Sequence, residues 1–316
     1  MVARTLESPP SILPLYVRAA APLIPGASLL PFVPGRGRGI PEVELSLLGV
    51  TPDADAVAAY ARVCGFTLRD QLPPTYPHVL AFPLQMAVMA DGRFPFGAVG
   101  LVHIENRIVQ RRPIGAGEAL TIHVRPTQLK GHPRGRVFSL LTEIQVGDEV
   151  VWESVSTMLR RGSAKKPADG PISVDIEPFS ARRQGDELKA NGEWRLGGDL
   201  GRRYGAVSGD RNPIHMHALT AKPLGFPRAI AHGMWTKARC LAALESRLPD
   251  AFAVDVRFRK PILLPARVEF ASDAQDEEIH FAARDTKRGT PHLEGLIGPL
   301  ETKPEGGRRK PSDRFP

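Results

Sequence analysis

The sequence predicts an α+β fold in which one pattern, a helix followed by several antiparallel strands, occurs twice. Three observations predict it. Two compact apolar stretches, "VLAFPLQMAVMA" at 79–90 and "AIAHGMWTKARCLAALESRLP" at 229–249, read as helices. Each is followed by strands in which apolar and polar residues alternate. Landmarks also recur in the same order in both halves. "YARVCGF" (60–66) sits against "YGAVSGD" (204–210), "LAFPLQMA" (80–87) against "IAHGMWTK" (230–237), and "RPIGAGEAL" (112–120) against "KPILLPARV" (260–268).

The elements follow in order. Residues 1–40 are rich in Pro and Gly and end in "PGRGRG"; they read as an irregular arm with one strand at "ILPLYVRAA", residues 12–20. "TPDADAVAAYARVCGF" (51–66) reads as a helix with Asp53 at its N-cap, and the short apolar helix at 79–90 follows. Strands are expected within 97–114, 118–130 and 135–161, the last folded back at a tight "VGDEV" turn. Residues 163–192 combine Pro, Gly and charge at low hydrophobicity and read as a linker. Then come a strand at "EWRLG" (193–197), a helix led by Tyr204, the loop "SGDRNPIHMH" (208–217) and the helix at 229–249. Strands at 252–262, 266–274, 278–286 and 292–300 complete the second half. The expected organisation is an N-terminal domain over 1–162, the linker, a C-terminal domain over 193–300 and a polar, disordered tail over 301–316. A sheet wrapped round a central helix, made twice in one chain, is the double hot-dog arrangement.

Composition narrows the function. With 316 residues and 42% hydrophobic residues, the chain can fill one large core or two ordinary ones. Cys64 and Cys240 are far apart, with no metal-ligand or CxxC spacing, which points to a reducing, cytoplasmic setting. No run of apolar residues is long enough for a membrane span. Glu7 and the prolines Pro9, Pro10, Pro14 and Pro22 interrupt what would be the apolar core of a signal peptide. The net charge is +8, but aromatics make up only 6% and no aromatic-interleaved basic stripe exists, so nucleic acid is not the expected partner. A positive surface suits an anionic small substrate or an acidic carrier protein.

The two halves differ where chemistry would sit. Opposite Asp210 the first half has Phe66, and opposite His232-Gly233 it has Phe82-Pro83. Proline has no N–H to donate; Gly233, near the start of a helix, has one and lets a ligand approach closely. Pro213 holds Asn212 out of the helical region and sets up a bend, so Asp210 and His215 can converge on one point. A carboxylate and an imidazole around one water can take a proton from it and return one to carbon. An oxyanion donor stabilises the enolate that forms meanwhile. Together these describe adding or removing water across a double bond conjugated to a carbonyl. The alternative is a structural turn in which Asp210 caps the next helix. Ser208, Asn212, Pro213 and His232 are read as support for the loop. Arg239, Arg257, Arg259 and Lys260 are candidates for the phosphates of a substrate, against the plainer reading of a solvated face. His78, His103, His123, His132, His280 and His292 show no ligand spacing, and no metal site is expected.

"YGAVSGDRNPIHMHALTAKPLGFPRAIAHGM", residues 204–234, resembles the MaoC-like or hydratase 2 family, through Y-x-x-x-S-G-D-x-N-P-I-H followed by G-F and I-A-H-G-M. The resemblance continues through the strand "VRFRKPILLPARVEF" to about residue 270, and the whole chain is similar to double hot-dog dehydratases with a degenerate first half. It implies that Asp210 and His215 are the catalytic pair, that Gly233 supplies the oxyanion N–H and that Asn212 holds the loop. The implied reaction is reversible syn hydration of a trans-2-enoyl thioester, of coenzyme A or a carrier protein, to the (3R)-3-hydroxyacyl thioester, without metal or redox cofactor. Many relatives carry Asp two residues after the catalytic histidine; this chain has His217. The alternatives are a thioesterase or a non-catalytic acyl-thioester binding protein on the same fold. A duplicated hot dog already holds the usual pseudo-dimer, so the working unit is either one chain or a homodimer.

Overall fold

The computed structural model describes residues 2–21, 33–35, 37, 39–162 and 188–300. The first half runs β1 (Val2–Leu6), α1 (Ile12–Ala20), β2 (Val43–Val50), α2 (Ala54–Cys64), α3 (Tyr76–Met89), β3 (Leu101–Gln110), β4 (Leu120–Pro126), β5 (Lys130–His132), β6 (Gly135–Val146) and β7 (Glu149–Arg161). The second runs β8 (Ala190–Leu196), α4 (Leu200–Ser208), α5 (Pro213–Met216), α6 (Ala218–Ala221), α7 (Gly233–Ala243), β9 (Phe252–Phe258), β10 (Ala266–Gln275), β11 (Glu278–Asp285) and β12 (Pro291–Gly298).

The twelve strands among the described residues join one sheet. Its middle is the antiparallel pair β3–β9, in register from Glu105 opposite Arg257 to Gln110 opposite Phe252. Outward from that seam the first half reads β3-β7-β6-β4-β2 and the second β9-β12-β11-β10-β8. The two orders match element for element, with α3 and α7 as the central helices. This is a double hot dog. Equivalent helix ends confirm the match: α2 ends at Gly65 (φ 86°) and α4 at Gly209 (φ 75°), both left-handed caps. The rings of Tyr60 and Tyr204, one from each helix, are buried 6.1 Å apart.

The core follows from the helices' apolar faces. Ala81, Leu84 and Val88 of α3 and Ala238, Cys240 and Leu241 of α7 are buried, each large apolar side chain contributing roughly 1.5–3 kcal/mol. The buried indoles find acceptors: Trp152 donates to the Pro74 carbonyl (2.9 Å) and Trp235 to that of Val63 (3.0 Å). Lys237 of α7 is wholly buried at the seam. Its Nζ lies 2.6 Å from Asn106 Oδ1 and 3.2 Å from the carbonyls of Asn106 and Val254, so one side chain ties the helix to both halves.

Several expectations need correction. "ILPLYVRAA" is helix α1: Ile12, Leu15, Tyr16 and Ala19 have helical spacing, and Pro14 falls in the first turn, where its missing N–H costs nothing. The strands β1, β2 and β5 were not anticipated; β1 lies inside the Pro-rich arm and β5 is only three residues long. Pro83 lies well inside α3, whereas its counterpart Gly233 opens α7, so the first half has no helix start at that place. The N-cap at Asp53 forms as expected, accepting from Ala56 N at 2.7 Å. Most of the linker, 163–187, and the tail 301–316 lie outside the described residues; β8 begins at Ala190 and takes up the linker's end. Among the described residues no helix is long and apolar enough to cross a membrane.

Candidate active site

The loop after α4 is built by close packing. A Cβ on Gly201 would stand 1.9 Å from the His215 carbonyl oxygen, and one on Gly205 2.8 Å from that of Asp210. These two glycines, one turn apart, let the loop and α5 lie directly on α4. Ser208 Oγ donates to the Tyr204 carbonyl (2.8 Å) and accepts from Asp210 N–H (3.2 Å), so it closes the turn that presents Asp210. Pro213 opens α5, and Asn212, extended at ψ 127°, caps it by accepting from Ile214 N at 3.4 Å.

Asp210 and His215 are thereby brought together with His232, the N-cap of α7. Their side-chain donor atoms lie within 4.8 Å of one another. His215 Nδ1 is 2.8 Å from the Ile230 carbonyl, which can only accept, so Nδ1 carries the hydrogen and Nε2 keeps its lone pair. His232 Nε2 likewise donates to the Asp210 carbonyl (2.9 Å) and stands 3.8 Å from Asp210 Oδ2. The two imidazoles stack, with centroids 3.6 Å apart. Asp210 Oδ1 accepts from the Tyr16 hydroxyl (2.9 Å) and from Asn212 N–H (3.2 Å). Tyr16 Oη in turn accepts from Arg211 N–H (2.7 Å).

These contacts set the proton affinities. Burial pushes the Asp210 carboxyl up, but the two imidazoles and the bonds from Tyr16 and Asn212 outweigh it and leave it below the ordinary range. Burial lowers His215, with Asp210 and the Ile230 carbonyl opposing. Burial, then His215, pushes His232 down to about 3. Burial and the Asp210 charge raise Tyr16, which stays a donor. The site thus holds an ionised carboxylate beside a neutral imidazole with a free lone pair.

A cavity of about 280 Å³ opens on this loop. Asp210, His215, His232 and Gly233 line one wall, and Gly233, first in α7, has no intrahelical acceptor for its N–H. A helical stripe of α3, His78, Phe82, Gln85 and Met89, also lines the cavity. Leu140, Met158 and Leu159 add apolar surface. Arg259 and Lys260 reach the cavity. Arg239 and Arg257 do not: Arg239 lies over the Trp194 ring (4.8 Å), and Arg257 is paired with Glu105 (3.0 Å). His217 is exposed, with Nδ1 3.4 Å from Arg202.

A MaoC like domain profile matches residues 182–295. The chain is 37% identical over 289 residues to 3-hydroxyacyl-thioester dehydratase X of Mycobacterium tuberculosis, covering 91% of this chain and 98% of that protein. The chain belongs to the MaoC-like dehydratase family. A crystal structure of the M. tuberculosis protein HtdX superposes with a TM-score of 0.71 at 36% identity, over 81% of this chain and 100% of that one. A MaoC-like dehydratase from Phytophthora capsici shares the fold, with a TM-score of 0.66 at 21% identity, over 82% of this chain and 95% of that one.

Within this MaoC-like dehydratase, sequence reasoning missed several residues. Tyr16 comes from the arm, and nothing local marks it as a partner of Asp210. The spacing of Gly201 and Gly205 on one helix face was a usable signal. His78 and His103 were given no role, yet both line the cavity, their rings parallel and 6.4 Å apart. His78 Nδ1 and His103 Nε2 are buried without a hydrogen-bond partner.

Proposed function

We propose that this chain is a hydro-lyase that interconverts trans-2-enoyl thioesters and (3R)-3-hydroxyacyl thioesters by syn addition and removal of water. The observation that carries the reading is the Asp210–His215 arrangement: an ionised carboxylate beside an imidazole whose only hydrogen is committed to the Ile230 carbonyl. The similarity to a protein named 3-hydroxyacyl-thioester dehydratase supports the same reading.

In hydration, a water held between Asp210 and His215 Nε2 gives up a proton to this pair as its oxygen attacks C3. The C2–C3 π electrons shift toward the thioester carbonyl, whose oxygen gains charge and is stabilised by the Gly233 N–H at the positive end of α7. The pair then delivers a proton to C2 on the face where the hydroxyl entered, since both groups lie on one wall. The net change is one water added and both residues restored. Dehydration runs the same steps backwards. His232 holds the Asp210 backbone and packs under His215, so it positions the pair.

The test follows loss of the conjugated enoyl absorbance alongside a thiol-reactive dye. Asp210→Asn and His215→Ala are each expected to lower kcat at least ~100-fold. Loss of absorbance without thiol release, giving the (3R) alcohol, supports the reading. Thiol release would identify a thioesterase, and unaltered activity in both variants would make the loop structural.

A further inference from the structure

One end of the sheet carries a band of cations. Lys130 and Arg136 lie on β5 and β6, Arg134 on the turn between them, Arg161 at the end of β7, and Arg259 and Lys260 just past the end of β9. The pairing puts them at the same end: Gly135 is opposite Arg161, Leu101 opposite Arg160, and β9 runs antiparallel to β3. Arg134, Arg161, Arg259 and Lys260 also line the cavity, so its mouth opens within the band. Arg259 is paired with Glu294. Among the described residues no carboxylate is paired with the other five. Arg134, Arg136, Arg161 and Lys260 are exposed.

We infer that this band docks an acidic carrier protein that presents the acyl thioester on a phosphopantetheine arm. The inference rests on the hydro-lyase reading for its substrate and on the width of the band for its partner. From β5 through β6, β7 and β3 to β9 there are four interstrand spacings, about 19 Å. The phosphates of a nucleotide carrier such as coenzyme A cover only part of that width. A helix studded with carboxylates spans all of it, and places its prosthetic arm at the mouth. Lys130 and Arg136 lie away from the cavity lining, where a small thiol carrier gains nothing from them.

The double variant Lys130→Glu/Arg136→Glu tests this against the same enoyl group carried on an acidic acyl carrier protein, on coenzyme A and on N-acetylcysteamine. Reversing two charges at the rim should lower kcat/KM about tenfold on the carrier protein at low salt and change it less than about twofold on the two small thioesters. The wild-type reaction on the carrier protein should also fall steeply with added salt. A carrier-protein rate unchanged in the variant, or an equal loss on coenzyme A, would overturn the inference. Lys130→Gln/Arg136→Gln should give an intermediate loss, which a folding defect would not. Titration with a saturated acyl carrier protein, followed by fluorescence anisotropy, reads docking without turnover. Wild type inert on all three thioesters but still binding the carrier would sink the hydro-lyase reading and leave docking standing; no binding by wild type would sink docking.

Discussion

Tyr16 and Asp210 are far apart in the chain, yet their hydrogen bond helps keep the carboxylate ionised. Tyr16→Phe removes one donor to the charged form, so the Asp210 pKa should rise. The acidic limb of the kcat/KM profile should move to higher pH, with a loss of about five- to tenfold near neutrality from the donor itself. A pH–rate profile superposable on wild type would mean that the two imidazoles and Asn212 N–H hold Asp210 without Tyr16. At this scale the sequence was most informative about residues that act through their neighbours in the chain. Ser208, Asn212 and Pro213 build the turn from within, and their roles follow from residue type. His78 and His103 reach the cavity, and Tyr16 reaches Asp210, only through tertiary folding. Arg239 and Arg257 lie on the active half's helix and strand, but Trp194 and Glu105 take them up, which no alternation pattern reveals.

Helix α3 occupies the place of α7 in the other half and extends past the point where α7 begins. Its stripe of His78, Phe82, Gln85 and Met89 lines the cavity, so an acyl chain bound there would meet it. Widening that stripe with Met89→Trp should cut kcat/KM on a long-chain enoyl thioester by about tenfold while leaving a four-carbon one within about twofold. Parallel losses on both would show that the chain runs elsewhere. The central helices and the strands that follow them were legible because period and burial agree there. Helix α1 was not, since a short apolar run with a proline fits strand and helix alike until its packing against the rest is known. The strand β2 alternates only partly, and its Gly49 sits at a break in its register with β4.

The fold as a whole keeps neutral imidazoles in its interior. Burial is the first cause in each case, holding His78 at about 4 and His103 and His232 at about 3. The unfolded chain binds these protons near the ordinary histidine value of 6.5, while the folded chain refuses them until much lower. Stability should therefore be full above about pH 6.5 and fall below it, by up to about 1.4 kcal/mol per pH unit for each histidine. The depressed Asp210 carboxyl adds to the loss at still lower pH. Urea midpoints from about pH 7 down to about pH 4 would show this decline; a flat series would mean that these rings titrate normally. The duplicated architecture was readable from the order of landmarks, but the seam was not, because strand order in a sheet is not written locally in a chain. That seam, where β3 lies beside β9, has a consequence for how the site responds to dilution. The acid–base loop comes from one repeat and the α3 stripe that lines the same cavity from the other, and both repeats are parts of one covalent chain. Their meeting is an intramolecular event with a fixed effective concentration. Thinning the protein out cannot separate the stripe from the loop, as it would for a site shared between two loosely held subunits.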